Sequence, residues 1–113
     1  MNRAMTEEKL MQETQMHRGT GGISAENRSL GFRPAFMDQE TCAVYASCFG
    51  DGRPAPFHLI DGLPEVLVVA RDAVGRAAAL KDSVIAGFVR GGRFYSREDA
   101  GRLASGEMAQ ACA

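Results

Sequence analysis

The pair Gly91-Gly92 separates VIAGFVR from RFYS, and no other two residues narrow the possible fold as much. A two-residue connection between strand-like runs needs positive φ at its turn positions if the strands are to keep their right-handed twist, and glycine supplies this without steric cost. Residues 84–95 are therefore expected to form a tight antiparallel hairpin. The pattern recurs twice upstream. Residues 32–37 and 43–49 are aromatic-containing runs separated by the turn-forming DQET, and residues 66–71 and 76–80 flank DAVG. Successive hairpins predict an antiparallel sheet of five or six strands. Pro34 cannot donate to a ladder, which predicts an edge or bulged position for its strand. Both faces of 43–49 are substantially apolar, so burial on both sides is expected, with 43–49, 66–71 and 84–90 carrying most of the core.

Helices are expected at the ends. Thr6, followed by Glu7 and Glu8, offers an N-cap with acids in the first turn, and good helix formers continue to about Met16. Ser96 before Arg97-Glu98-Asp99 repeats that signature and predicts a helix from about Arg97 to Ala104, weakened by Gly101 and ended by Gly106. One helical turn is expected within 56–61. The fold class is α+β: a small antiparallel sheet built from hairpins, with short terminal helices. The chain divides into an N-terminal helix and flexible segment (1–22), a single α+β domain (23–106) and a frayed tail (107–113). The glycines of RGTGG read as a linker, because the Lys and Ser or Thr of a phosphate loop do not follow them.

Charge limits the partners. Residues 1–65 carry nine acids against six bases and residues 66–113 carry five acids against seven bases, so the halves differ only as −3 and +2. A nucleic-acid module draws its affinity from a much stronger basic excess, so nucleic acid is not the expected partner. Cys42, Cys48 and Cys112 are odd in number and include no C-x-x-C pair. If Cys42 and Cys48 share a strand they lie roughly 20 Å apart and cannot bridge each other. Reduced thiols, together with the absence of a membrane-length apolar run or a continuous apolar signal core, point to a soluble cytoplasmic protein.

Two stretches could carry chemistry. DGRPAPFHLIDGLP (51–64) holds Arg53, His58 and Asp61. On a helical turn His58 and Asp61 would share a face, and the carboxylate would fix the imidazole tautomer and raise its pKa, which is half of a general-base arrangement. The other half is missing, since no nucleophile elbow surrounds Ser47 or Cys48. The prolines and glycines of the stretch are explained as punctuation between hairpins, and a His-Asp bond that pins a loop serves the pattern without catalysis. In the second stretch, RGGRFYSR, Arg90, Arg93, Tyr95 and Arg97 could hold a phosphate or stack on an unpaired base, although a hairpin also places polar residues beside its turn for structural reasons. No histidine or carboxylate spacing predicts a metal, and no cofactor is expected.

GFRPAF, DGRPAPFHLIDGLP and GFVRGGRFYS together resemble small bacterial accessory proteins of no assigned activity, over residues 21–100. That resemblance implies no catalytic residue. The expected function is non-enzymatic protein binding, accessory or inhibitor-like, with another protein or a second copy in a homodimer as partner. The alternatives are weak nucleic-acid or phosphate binding through Arg90, Arg93 and Arg97, and a small enzyme built on His58 and Asp61.

Overall fold

The computed structural model describes residues 5–111. The elements are α1 (Glu7–Met16), α2 (Ser24–Asn27), a 3-10 turn (Arg28–Leu30), β1 (Arg33–Asp38), β2 (Ala43–Ala46), a second 3-10 turn (Glu65–Leu67), β3 (Val68–Arg71), β4 (Ala77–Leu80), β5 (Val84–Arg90), β6 (Arg93–Ser96) and α3 (Arg97–Ala111). The fold is α+β, and every strand pairing is antiparallel. Strands β2-β1-β5-β6 form a four-stranded sheet, and β3-β4 form a separate two-stranded one.

All three hairpins form where their turns predict. Gly91 and Gly92 lie at φ 61° and 79°, between Arg90 and its cross-strand partner Arg93. In the turn between β3 and β4 the Asp72 carboxylate accepts from the amides of Val74 and Arg76, and Gly75 takes φ 86°. At the β1–β2 turn Asp38 accepts from the Glu40 amide, the Ser83 hydroxyl and the Lys81 ammonium, tying the corner to the start of β5. These bonds hold its carboxyl below the usual range, the Ser83 hydroxyl contributing most.

Pro34 does not mark an edge. Strand β1 is interior, between β2 and β5, and the proline sits where the β2 ladder ends. The Pro34 carbonyl still accepts from the Ser47 amide, while the Ser47 carbonyl, which an amide at 34 would have used, accepts from Ala55 instead. The missing donor therefore leaves no acceptor orphaned. The core shifts accordingly. Phe36 of β1 joins Val84 and Ala86 of β5, Met5, Leu10, Ile60, Leu63, Leu67 and Leu80 in the main cluster, whereas Val44 of β2 and Val69 of β3 are exposed. Of 43–49 and 66–71 only Leu67 enters that cluster, with Tyr45 and Val68 packed against it, so those runs carry less of the core than expected. Cys42 lies in the turn at φ 62° rather than on a strand with Cys48.

The termini also depart from expectation. Thr6 caps α1 through its hydroxyl as its sequence predicts, and both Leu10 and the preceding Met5, which pairs with Leu80, are buried in the main cluster. The RGTGG stretch is a packed turn, not a linker: the Glu26 carboxylate accepts from the amides of Gly19 and Gly21, and Asn27 donates to the Gly21 carbonyl. Ser96 caps α3 through the Asp99 amide, and the helix runs past Gly106 to Ala111 rather than fraying at 107. Residues 112–113 of the expected tail lie outside the described residues. No helical turn forms within 56–61, because Ser47 binds both sides of that segment.

Gly87 of β5 has no room for a side chain, since a Cβ there would run into the Phe94 ring and the Tyr95 carbonyl. Gly50 has no neighbour within 4 Å of the same atom. Gly87→Ala is expected to lower stability by about 1–3 kcal/mol, as overpacking does, and Gly50→Ala by less than about 0.5 kcal/mol. Urea unfolding of the two variants beside the parent chain checks the difference.

Candidate functional site

One face of α1 recurs at helical spacing through Leu10, Met11, Thr14 and Gln15, with Glu7 before it and Arg18 beyond its end. That face forms one wall of a cleft of about 490 Å³. Ile23, Ser24, Ala25 and Arg28 stand opposite, and the 57–59 segment and Arg97 complete the lining. Met11 and Phe57 are 67% and 49% exposed, the large apolar groups that the cleft offers to solvent.

The 57–59 segment is placed by Ser47. Its buried hydroxyl donates to the Phe57 carbonyl and accepts from the Leu59 amide, each at 2.8 Å. Ser47 is thus a strut, with no hydroxyl free to act as a nucleophile. The bracket turns His58 inward, between Phe36 and Phe88, with ring centroids at 5.3 and 5.2 Å. His58 Nε2 donates to the Gly87 carbonyl at 2.7 Å, which leaves Nδ1 as an acceptor for the Arg97 guanidinium at 3.3 Å. Burial, and then the positive charge of Arg97, push the imidazole down from its ordinary 6.5 to about 4. This corrects the raised pKa expected from an Asp61 partner.

Arg97 is only 4% exposed. Its guanidinium donates to the Gly22 carbonyl at 3.1 Å and to the Thr14 hydroxyl at 3.3 Å, and Glu13 lies 3.4 Å from Nε. The Nε hydrogen has no aligned acceptor, so the Glu13 contact acts as an ion pair rather than a directed hydrogen bond. Burial pushes the guanidinium pKa down, and Glu13 opposes that shift.

The other sequence candidates scatter. Asp61 bonds Arg76 at 2.6 Å, not His58. Arg53 pairs with Asp51 in the exposed loop. Arg90 lies over the Phe32 ring at 4.3 Å and donates to the Leu30 carbonyl, and Arg93 stacks on Tyr95, itself edge-on to Phe32. Arg90, Arg93 and Arg97 therefore do not converge on a single anion position. Among the described residues no group of histidines, cysteines and carboxylates could hold a metal ion.

No family model matches the chain, and no curated protein or solved structure matches it either. The cleft itself is what sequence reasoning missed. The spacing of Leu10, Met11, Thr14, Gln15 and Arg18 was its one available signal, and the opposite wall is joined to it only in three dimensions.

The depressed His58 pKa makes stability depend on pH. Between about pH 6.5 and 4 the unfolded chain takes up a proton that the folded chain refuses, so the contribution is complete above 6.5 and is lost as pH falls towards 4. The loss amounts to at most about 3 kcal/mol. Asp38 and Glu40, whose pKa values are also lowered, add acid sensitivity of their own. His58→Gln keeps a donor and an acceptor but does not titrate, so urea melts at pH 7 and 4.5 should show the parent losing more stability than this variant. Equal losses would contradict the assignment.

Proposed function

We propose that the chain is a non-enzymatic binding module whose partner is another protein, seated in the cleft between α1 and the 23–28 segment. The observation that carries this reading is the contrast between the cleft's apolar and polar groups. Met11 and Phe57 are offered to solvent, while both ring nitrogens of His58 and the guanidinium of Arg97 are engaged within the chain. Exposed methionine and aromatic groups beside a depression suit the apolar anchor of a protein partner. A general base would need a free nitrogen facing substrate, and the engaged His58 favours the non-enzymatic reading. The dispersal of Arg90, Arg93 and Arg97 favours protein over phosphate. An accessory role in the cytoplasm, as in the small proteins the sequence resembles, fits the free thiols of Cys42 and Cys48. No helix among the described residues is long and apolar enough to cross a membrane.

A second copy of the chain is the other candidate partner. Val69 on β3, Val66 in the 3-10 turn before it and Val74 in the β3–β4 turn, at 58%, 72% and 78% exposure, favour self-association there. The bulged register of that hairpin makes its edge a poor template for strand addition, so contact would run through the valine side chains.

Partner capture with the parent chain beside Phe57→Glu and Met11→Glu tests the docking reading. At least one saturably bound protein should weaken tenfold or more with either variant while melting temperatures hold. Retention unchanged by both, or tight single-strand binding that survives physiological salt, would contradict it. Light scattering over micromolar concentrations, with Val69→Lys as the control, tests the second copy: a dimer lost in the variant is expected, and a monomer throughout excludes it.

A further inference from the structure

Resting on the protein-docking reading, we infer that the cleft takes an acidic amphipathic helix of the partner, with apolar side chains along its buried face and carboxylates towards Arg18 and Arg28. The cleft's shape sets the form of the occupant. Its long wall is a single face of α1 from Glu7 to Gln15, about 12 Å at the helical rise, or roughly two turns of a helix laid alongside, with Arg18 just past the helix end. No strand contributes to the lining, so the cleft presents no open ladder for an extended segment to join. Recognition must then come from side chains, as when a helix lies in a groove with anchors at i, i+3 or i+4, and i+7. Met11 and Phe57 supply the exposed apolar surface for such anchors, with the largely buried Leu10 and Ile23 behind them.

Charge sets the composition. Arg18 and Arg28 are both exposed at the cleft. One Nη of Arg28 donates to the Pro56 carbonyl, which holds the side chain along the wall and leaves the rest of its fork available. The third lining arginine, Arg97, is already balanced by Glu13. The lining acid, Glu7, is exposed at the start of α1, while the nearby Arg76 is paired with Asp61. The accessible charges of the cleft are thus two arginines against one carboxylate, and acids of a bound helix set against Arg18 and Arg28 would speed encounter and fix its direction.

The test uses the full chain and a display library of helix-forming peptides with about four turns, randomised on one face and both margins. Peptides retained by the parent chain and released by Phe57→Glu should combine two or three leucine or aromatic anchors with a net excess of Asp and Glu. A synthetic copy of the best of them should bind roughly tenfold more weakly to the doubly reversed Arg18→Glu, Arg28→Glu chain, as two exposed ion pairs allow. Its binding to the parent should weaken between low salt and about 0.5 M salt, a reading that needs no variant. Phe57-dependent peptides that are neutral or basic, or whose affinity ignores both salt and the arginines, overturn the acidic-helix inference and leave protein docking standing. Recovery of no peptide, or only of peptides indifferent to Phe57→Glu and Met11→Glu, overturns both.

Discussion

The first residue of α3 organises the molecule. Arg97 carries a guanidinium out of water into contact with four parts of the chain: the Gly22 carbonyl of the glycine turn, Thr14 and Glu13 of α1, His58 of the long connection, and the Phe88 ring of β5 at 5.9 Å. A buried charge is tolerated only when its donors and its charge are met, and removing one partner of such a set usually costs several kcal/mol. The backbone accommodates it closely. A Cβ on Gly22 would lie 2.7 Å from the Arg97 carbonyl, so the turn can reach the helix only as glycine. Arg97 thereby ties α1 to the glycine turn, the long connection and β5, and it helps to close the cleft between α1 and the 23–28 segment.

His58 serves the same arrangement from the other side. Its ring touches Phe36 of the main core cluster and Phe88 of the smaller one with Phe32 and Ala100, so it joins the two apolar groups. Neutral imidazole suits that position. It donates to Gly87, whose lack of a side chain makes room for Phe94, and it accepts from Arg97 without adding a second positive charge. What the cleft shows to solvent is consequently its apolar wall and its outer arginines, and the proposed recognition rests on those.

The elements legible in the sequence are the ones decided by neighbouring residues. Thr6 and Ser96 cap their helices, and Gly91-Gly92, Asp72 and Asp38 shape their turns, because each acts within a few positions of itself. The misread features are those settled by distant chain. Pro34 is acceptable in an interior strand because Ala55 takes the acceptor it cannot use. The glycines at 19–22 look like a linker in isolation, but Ala104 and Gly101 of α3 pack against them. His58 and Asp61 are three positions apart and suggested a pair; their partners proved to be Arg97 and Arg76, which no local pattern marks. Of the cleft's residues only His58 and Arg97 were visible as candidates; Met11, Phe57, Arg18 and Arg28 were not, because only the fold brings them together.

The central claim is that the polar floor of the cleft is a closed structural network, with His58 neutral and its proton on Nε2. Long-range proton–nitrogen correlation NMR of the histidine ring reads the tautomer and the titration together. The account predicts a His58 ring protonated at Nε2 alone at pH 7, with Nδ1 unprotonated, and no titration until the pH falls to about 4. A ring that titrates near its ordinary 6.5, or that carries its proton on Nδ1, would contradict the network and return His58 to the list of groups free to do chemistry.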